Sequence, residues 1–292
     1  MIPLIALAYS ILVTTPTSSV QIFPSTGVVQ GQVLEITFDL QDTKDSTSIS
    51  ANFLNTQTPC YPKAALKNAQ KTPQKWMCLI SVPASAPTGD QLLQILANQE
   101  TIAQDTIPIL AFQFPIEPLD LSDEKKALLK QEDSQKSVKK IKEALHTENQ
   151  SQLWQDPFIY PIHGPIESSY GEHRVVDGEI RPGYHRGVDI GVLEGSAVRC
   201  TNVGRVLLTG MFTEEGNMVI VDHGQGIVSV YMHLSQIFVH NGQQVKKGET
   251  LGLSGSTGVA NTPHLHFGIY IHATPTDPIN WLETFIPGYF RR

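Results

Sequence analysis

Two short segments in the second half of the chain place metal-competent side chains at separations that can serve one centre. His185-Arg186-Gly187-Val188-Asp189 sets an imidazole and a carboxylate four residues apart around a glycine. One nitrogen and one oxygen can therefore reach a common cation where the backbone bends close. In His264-Leu265-His266 two imidazoles are two residues apart. On a strand they share a face, Leu265 takes the other, and their Cα atoms stand about 7 Å apart. Both can then contact one metal-bound water or substrate, with only one of them needing to bind the metal. Three nitrogen and oxygen ligands with a fourth position left to water is the arrangement of a catalytic zinc, whereas structural zinc closes its shell with four ligands, usually cysteines. Such an ion lowers the pKa of its water to about 7 and polarises the carbonyl under attack, and a neighbouring imidazole can shuttle the proton.

Eight of the ten histidines follow Gly171. His146, His163, His173, His240 and His272 lack such a context and read as surface or hydrogen-bonded residues, and His223, before Gly224, reads as support for a turn.

The elements that must position these groups are strands. After Trp154 the chain runs through Gly-punctuated β segments at Val203 to Thr209, Met218 to Asp222, Gly226 to Met232, Gln244 to Gly252 and Leu265 to Ile271, with turns such as Gly224-Gln225-Gly226 between them. No helix–strand alternation appears, so the expectation is an antiparallel β domain over residues 154–292 and no doubly wound nucleotide-binding fold. From about Val20 to Phe114 short β runs also recur: Val33 to Phe38, Trp76 to Val82 and Leu92 to Leu96. They predict a β-sandwich domain over 20–116. Between the two, Ser122 precedes Asp123 and Glu124 and a Lys-rich stretch with Leu128, Leu129, Val138, Ile141 and Leu145. That is a helix start followed by sparse apolar positions, a mostly solvated helical linker over 117–153.

The order Tyr184-His-Arg-Gly-Val-Asp-Ile190, Gly216-Asn-Met-Val-Ile-Val-Asp-His-Gly224, Tyr231-Met-His-Leu-Ser235, Gly242-Gln-Gln-Val-Lys-Lys-Gly248, Gly255-Ser-Thr-Gly258 and His264-Leu-His-Phe267 resembles the LytM-type (M23, lysostaphin-like) zinc metallopeptidases over roughly Pro157 to Trp281. The resemblance implies that His185, Asp189 and His266 are the Zn2+ ligands. It implies that His264 and His233 are catalytic, flanking the metal-bound water as base and as stabiliser of the tetrahedral intermediate. It implies a zinc metalloendopeptidase cutting peptide bonds of peptidoglycan stem peptides or cross-links, with an antiparallel β-sheet groove as its fold and an Ig-like module ahead of it. Some relatives have lost ligands and serve as non-catalytic activators of cell-wall hydrolases. That is the alternative function, and here all five positions hold a metal-competent residue.

The remaining features bound this reading. At 292 residues the chain is long enough for two cores. The net charge of −7 leaves no basic excess for nucleic acid. The first residues, Met1 to Val13, are apolar but shorter than the roughly 20 needed to span a bilayer. They read as part of a secretory signal, with Ala6-Leu7-Ala8 as a cleavage-type pattern, or as a short apolar strand. Export to the periplasm or cell envelope would suit a disulfide between Cys60 and Cys78, while Cys200 reads as a small buried apolar residue. The expected partners are peptidoglycan peptides and an envelope protein engaging the N-terminal domain. Substrate selection is expected from loops at Gly171 to Gly183 and Gly210 to Gly216.

Overall fold

The computed structural model describes residues 20–40, 48–63, 74–129, 135–147, 149–154 and 157–283. The proposed signal segment lies outside them. The chain is mainly β and divides into two compact units, 1–112 and 113–292.

In the first unit the strands are β1 (Gln21–Phe23), β2 (Val28–Val29), β3 (Val33–Leu40), β4 (Ile49–Phe53), β5 (Thr56–Pro59), β6 (Tyr61–Pro62), β7 (Gln74–Ser81), β8 (Gly89–Ala97) and β9 (Glu100–Leu110). They form a four-stranded sheet, β1-β3-β7-β6, and a five-stranded sheet, β2-β9-β8-β4-β5. Alternate residues of both sheets, Leu34, Ile36 and Phe38 on one and Leu93, Ile95, Ile107 and Ile109 on the other, meet in a single apolar core. Cys60 and Cys78 are joined as a disulfide inside it.

The second unit opens with β10 (Ile116–Pro118), α1 (Asp123–Leu129) and α2 (Gln135–Leu145). The strands β11 (Ile166–Ser168), β12 (His173–Val176), β13 (Glu179–Ile180), β14 (Val188–Gly191) and β15 (Ala197–Arg199) follow. Next come β16 (Gly204–Phe212), β17 (Gly216–Gly224), β18 (Ile227–Leu234), β19 (Gln236–Ile237), β20 (Gln244–Val245) and β21 (Thr250–Leu253). The last elements are β22 (His264–Ile271), β23 (Thr274–Thr276) and α3 (Pro278–Glu283). The main sheet runs β11-β14-β22-β18-β17-β16-β20, with β23 paired to β22. Its centre is almost wholly buried: every residue of β22 is buried, as are Met218 to Val221. Such strands read as continuous apolar runs because both faces are covered.

One sequence expectation needs correction. Gln244 to Gly252 is not one strand but two, β20 and β21, because the chain turns at Lys246 to Glu249, where the Lys246 N–H is held by the Glu249 carboxylate at 2.9 Å. The named strands from β11 to β23 pair antiparallel as expected, and β10, ahead of that region, adds a parallel pairing to β12, which the long connection through α1 and α2 allows.

The linker belongs to the second unit's packing. α2 buries no residue fully, and its lysines face solvent as expected, but Ile141, Ala144 and Leu145 pack on an apolar patch of the sheet made by Leu208, Phe212, Met218, Ile220, Val230 and Tyr270. Ahead of it, Lys125 Nζ donates to the carbonyls of Ser256 and Gly258 at 3.2 and 2.8 Å, and Lys126 pairs with Asp177 at 2.6 Å.

Candidate metal centre

Strand pairing explains why residues distant in sequence converge. Asp189 on β14 stands opposite His266 on β22, and His266 stands opposite Met232 on β18. His264, two residues before His266, projects on the same face. His185 enters from the turn before β14 and His233 from the end of β18.

Three atoms come together: His185 Nε2 lies 3.1 Å from Asp189 Oδ1, His266 Nδ1 lies 2.9 Å from the same oxygen, and the two nitrogens are 2.9 Å apart. All three residues are buried. Ligand atoms on bonds of about 2.0–2.1 Å around a tetrahedral zinc stand roughly 3.3 Å from one another, so this triangle needs a few tenths of an ångström to accept the ion. Among the described residues this is the one His/Asp/Glu/Cys cluster close enough to hold a metal. Two imidazoles and a carboxylate, with no cysteine, fit the donor set of a hydrolytic zinc site.

The hydrogen bonds behind the ligands fix their orientation. His185 Nδ1 lies 2.9 Å from the Ser169 carbonyl, so it can donate there while Nε2 offers its lone pair to a cation. Gly187 is required for close approach, since a Cβ there would stand 2.4 Å from the Phe267 carbonyl oxygen and 2.8 Å from His266 Nε2. Asp189 is held well below the usual carboxylate range. Burial pushes its pKa up, but the charge and hydrogen bonding of His185 and the hydrogen bond from His266 outweigh burial. Burial, partly offset by Asp189, lowers His266 to about 4. At neutral pH the cluster therefore combines a carboxylate with a neutral imidazole, the state a cation needs.

His233 and His264 stand beside the cluster with ring centroids 4.8 Å apart. His233 Nδ1 donates to the Thr257 carbonyl at 2.8 Å and His264 Nδ1 to the Thr262 carbonyl at 2.9 Å. Their Nε2 atoms are left free of these carbonyls, and that of His264 is 3.9 Å from Asp189 Oδ1. Burial, together with His264 and His266, lowers His233 to about 3, so it is neutral well below pH 7. His233 is fixed from both sides: it adopts φ of 63°, and its N–H donates to the Glu215 carbonyl at 2.9 Å. Gly216, at φ +64°, lets that loop touch Thr257, since a Cβ would lie 2.5 Å from the Thr257 carbonyl oxygen.

The cleft above the centre is lined by His185, His233 and His266, by Glu172, Arg174, Arg181 and Gly183 from one loop and by Glu214 and Glu215 from another. These fall within the two loops expected to form the groove walls, and Arg181 Nη2 joins them by reaching Glu214 at 3.4 Å. The apolar side of the cleft includes Leu119, Ile141 and Leu145 of the linker.

The five histidines set aside lie outside the ligand cluster. His223 is also elsewhere, but it does more than support a turn. It is fully buried, with Nδ1 donating to the Val203 carbonyl at 2.8 Å and Nε2 2.7 Å from Ser229 Oγ. Cys200 is buried and free, and burial pushes its thiol up to about 12. Sequence reasoning missed Ser168, Glu172 and Arg174, which surround the ligands.

A buried set of two imidazoles and one carboxylate, flanked by two further imidazoles and bordering an open cleft, forms a candidate metal site on an antiparallel sheet. Residues 183–278 match the model of peptidase family M23. This segment is an M23 peptidase domain. Similar proteins include the peptidoglycan DD-endopeptidase ShyA of Vibrio cholerae, 33% identical over 130 residues covering 44% of this chain and 30% of that protein. The murein hydrolase activator EnvC of Escherichia coli is 35% identical over 124 residues, 42% of this chain and 28% of that protein. The chain thus spans less than a third of the length of these relatives. A crystal structure from Pseudomonas aeruginosa described as an M23 peptidase shares the fold, with a TM-score of 0.61 and 23% identity over 88% of this chain and 96% of that one.

Proposed function

We propose that the second unit is a zinc metalloendopeptidase that hydrolyses peptide bonds in peptidoglycan stem peptides or cross-links, in the periplasm or cell envelope. The observation that carries this reading is the triangle of His185 Nε2, Asp189 Oδ1 and His266 Nδ1 with two further imidazoles, His233 and His264, beside it. The M23 domain and the peptidoglycan endopeptidase ShyA among the relatives support the substrate class. The Cys60–Cys78 disulfide suits an oxidising compartment. Domain boundaries of 20–116, 117–153 and 154–292 go with this reading, the first region engaging the envelope.

His185, Asp189 and His266 hold the ion. Zinc in that position supplies Lewis acidity toward the scissile carbonyl and activation of a water. His264 and His233 present Nε2 acceptors. A proton taken there from the attacking water makes an imidazolium, which donates toward the negative charge growing on the carbonyl oxygen and then protonates the leaving amine. The cleft walls at Arg181 and Glu214 orient the peptide chain.

A second reading has its own support: EnvC is an activator of hydrolases, and a module of that kind would keep the metal for stability. Variants separate the two. Asp189→Ala is expected to lose both zinc and peptidoglycan hydrolysis. His233→Ala and His264→Ala are each expected to keep stoichiometric zinc while turnover falls about 10²–10⁴-fold. Absence of zinc from the purified native protein, or hydrolysis unchanged in Asp189→Ala, rules out the peptidase reading. A His233→Ala protein that supports its biological role in full favours the activator.

A further inference from the structure

The carboxylate of Asp189 has two oxygens, and only Oδ1 faces the imidazoles. Oδ2 is engaged by Arg174 Nη2 in an ion pair with both side chains largely covered. The same guanidinium nitrogen donates to Ser168 Oγ at 3.1 Å. Ser168 in turn lies 2.6 Å from Glu172 Oε2 and 3.1 Å from His185 Nδ1. A hydroxyl has one proton to give and can accept two. Here it donates to the Glu172 carboxylate and accepts from Arg174, while the His185 Nδ1 proton goes to the Ser169 carbonyl. Glu172 is itself buried and takes a second bond from the Ser169 N–H at 2.6 Å. The pairing of β11 with β14 is irregular between Ile166 and Ser168, and this shift sets Ser168 opposite Asp189.

We propose that Arg174, held in place by Ser168 and Glu172, is a positioning residue for the metal site: it occupies Oδ2 of Asp189 so that Oδ1 alone faces the ion. The inference rests on the metal-site part of the function proposed above. Arg174 sits on β12, eleven residues before His185, and its hydrogen bonds go to Asp189 and Ser168 rather than to the imidazoles. Its effect is therefore through Asp189. A charge-assisted bond fixes the rotation of the carboxylate, which would otherwise be free to turn in its pocket.

The direction of the effect makes the idea testable. A cation beside a metal site lowers its affinity by repulsion, so if Arg174 were only a nearby charge, its removal would tighten zinc binding. If it positions Asp189, removal weakens binding. The full-length protein and its Arg174→Ala, Arg174→Lys and Ser168→Ala variants would be titrated with zinc against a chromogenic chelator, with circular dichroism to verify folding. The expected outcome is a zinc Kd raised about 10–100-fold in Arg174→Ala, partly restored in Arg174→Lys, and raised by a smaller factor in Ser168→Ala. A folded Arg174→Ala protein that binds zinc as tightly as native, or more tightly, overturns the proposal. Should Arg174→Ala not fold, an unchanged Kd in both Arg174→Lys and Ser168→Ala overturns it equally. Native protein that binds no zinc would instead defeat the metal-site reading itself, so the two failures are distinct.

Discussion

A buried histidine is most informative when its partners decide its charge. His223 has both ring nitrogens engaged, one by the Val203 carbonyl and the other by Ser229 Oγ, and the Ser229 and Tyr231 hydroxyls continue the chain 3.0 Å apart. Burial lowers its pKa to about 4, against 6.5 for a free imidazole. Between these values the unfolded chain binds a proton that the native state refuses, so stability is fully present above pH 6.5 and is lost as pH falls toward 4. The loss from this group is on the order of 3 kcal/mol. His272, which burial also lowers to about 4, acts in the same direction. The diagnostic is consequently a difference: urea melts at pH 7 and pH 4.5 should show a shallower pH dependence in His223→Gln than in native protein, whatever the variant's absolute stability. An equal dependence in both would mean that His223 is protonated in the fold.

At the scale of elements, the linker helix carries a second prediction. Ile141 and Leu145 are four apart on α2, pack on the sheet's apolar patch and line the cleft that also contains His185, His233 and His266. In the function proposed above, a peptide entering the cleft would meet this edge. Replacing both by aspartate is expected to loosen the helix and to raise kcat/KM on peptidoglycan several-fold with zinc content unchanged; equal activity would make α2 a passive wall. The linker also shows where sequence reading stops. Its helical character, its wet lysines and its sparse apolar positions were legible from composition, whereas the surface those apolar residues cover was not, because a helix of this polarity packs equally well by its pattern on any apolar patch. The ligand strands were far more legible. A two-residue period dictates that His264 and His266 share a face, and no tertiary information is needed to know it. Arg174 and Ser168 gave no such signal, since their meeting with Asp189 depends on an irregular pairing of β11 that no periodicity encodes.

Taken as a whole, the molecule has two cores, and the disulfide lies in only one of them. Cys60 and Cys78 are 18 residues apart in sequence and sit within the apolar core of the first unit. Closing a loop of that length restricts the unfolded chain by an amount worth about 3 kcal/mol in the chain-entropy model. For a unit of this size the corresponding fall in Tm is roughly 10 °C or more. The His185, Asp189 and His266 cluster that could hold a metal belongs to the second unit. Reduction, or the Cys60→Ala, Cys78→Ala pair, should therefore lower the unfolding temperature of the first unit while zinc affinity stays within twofold of native. Differential scanning calorimetry paired with a chelator titration separates the two effects. Loss of zinc affinity on reduction would show instead that the candidate metal centre depends on the first unit's integrity, and the proposed activity would then belong to both units together.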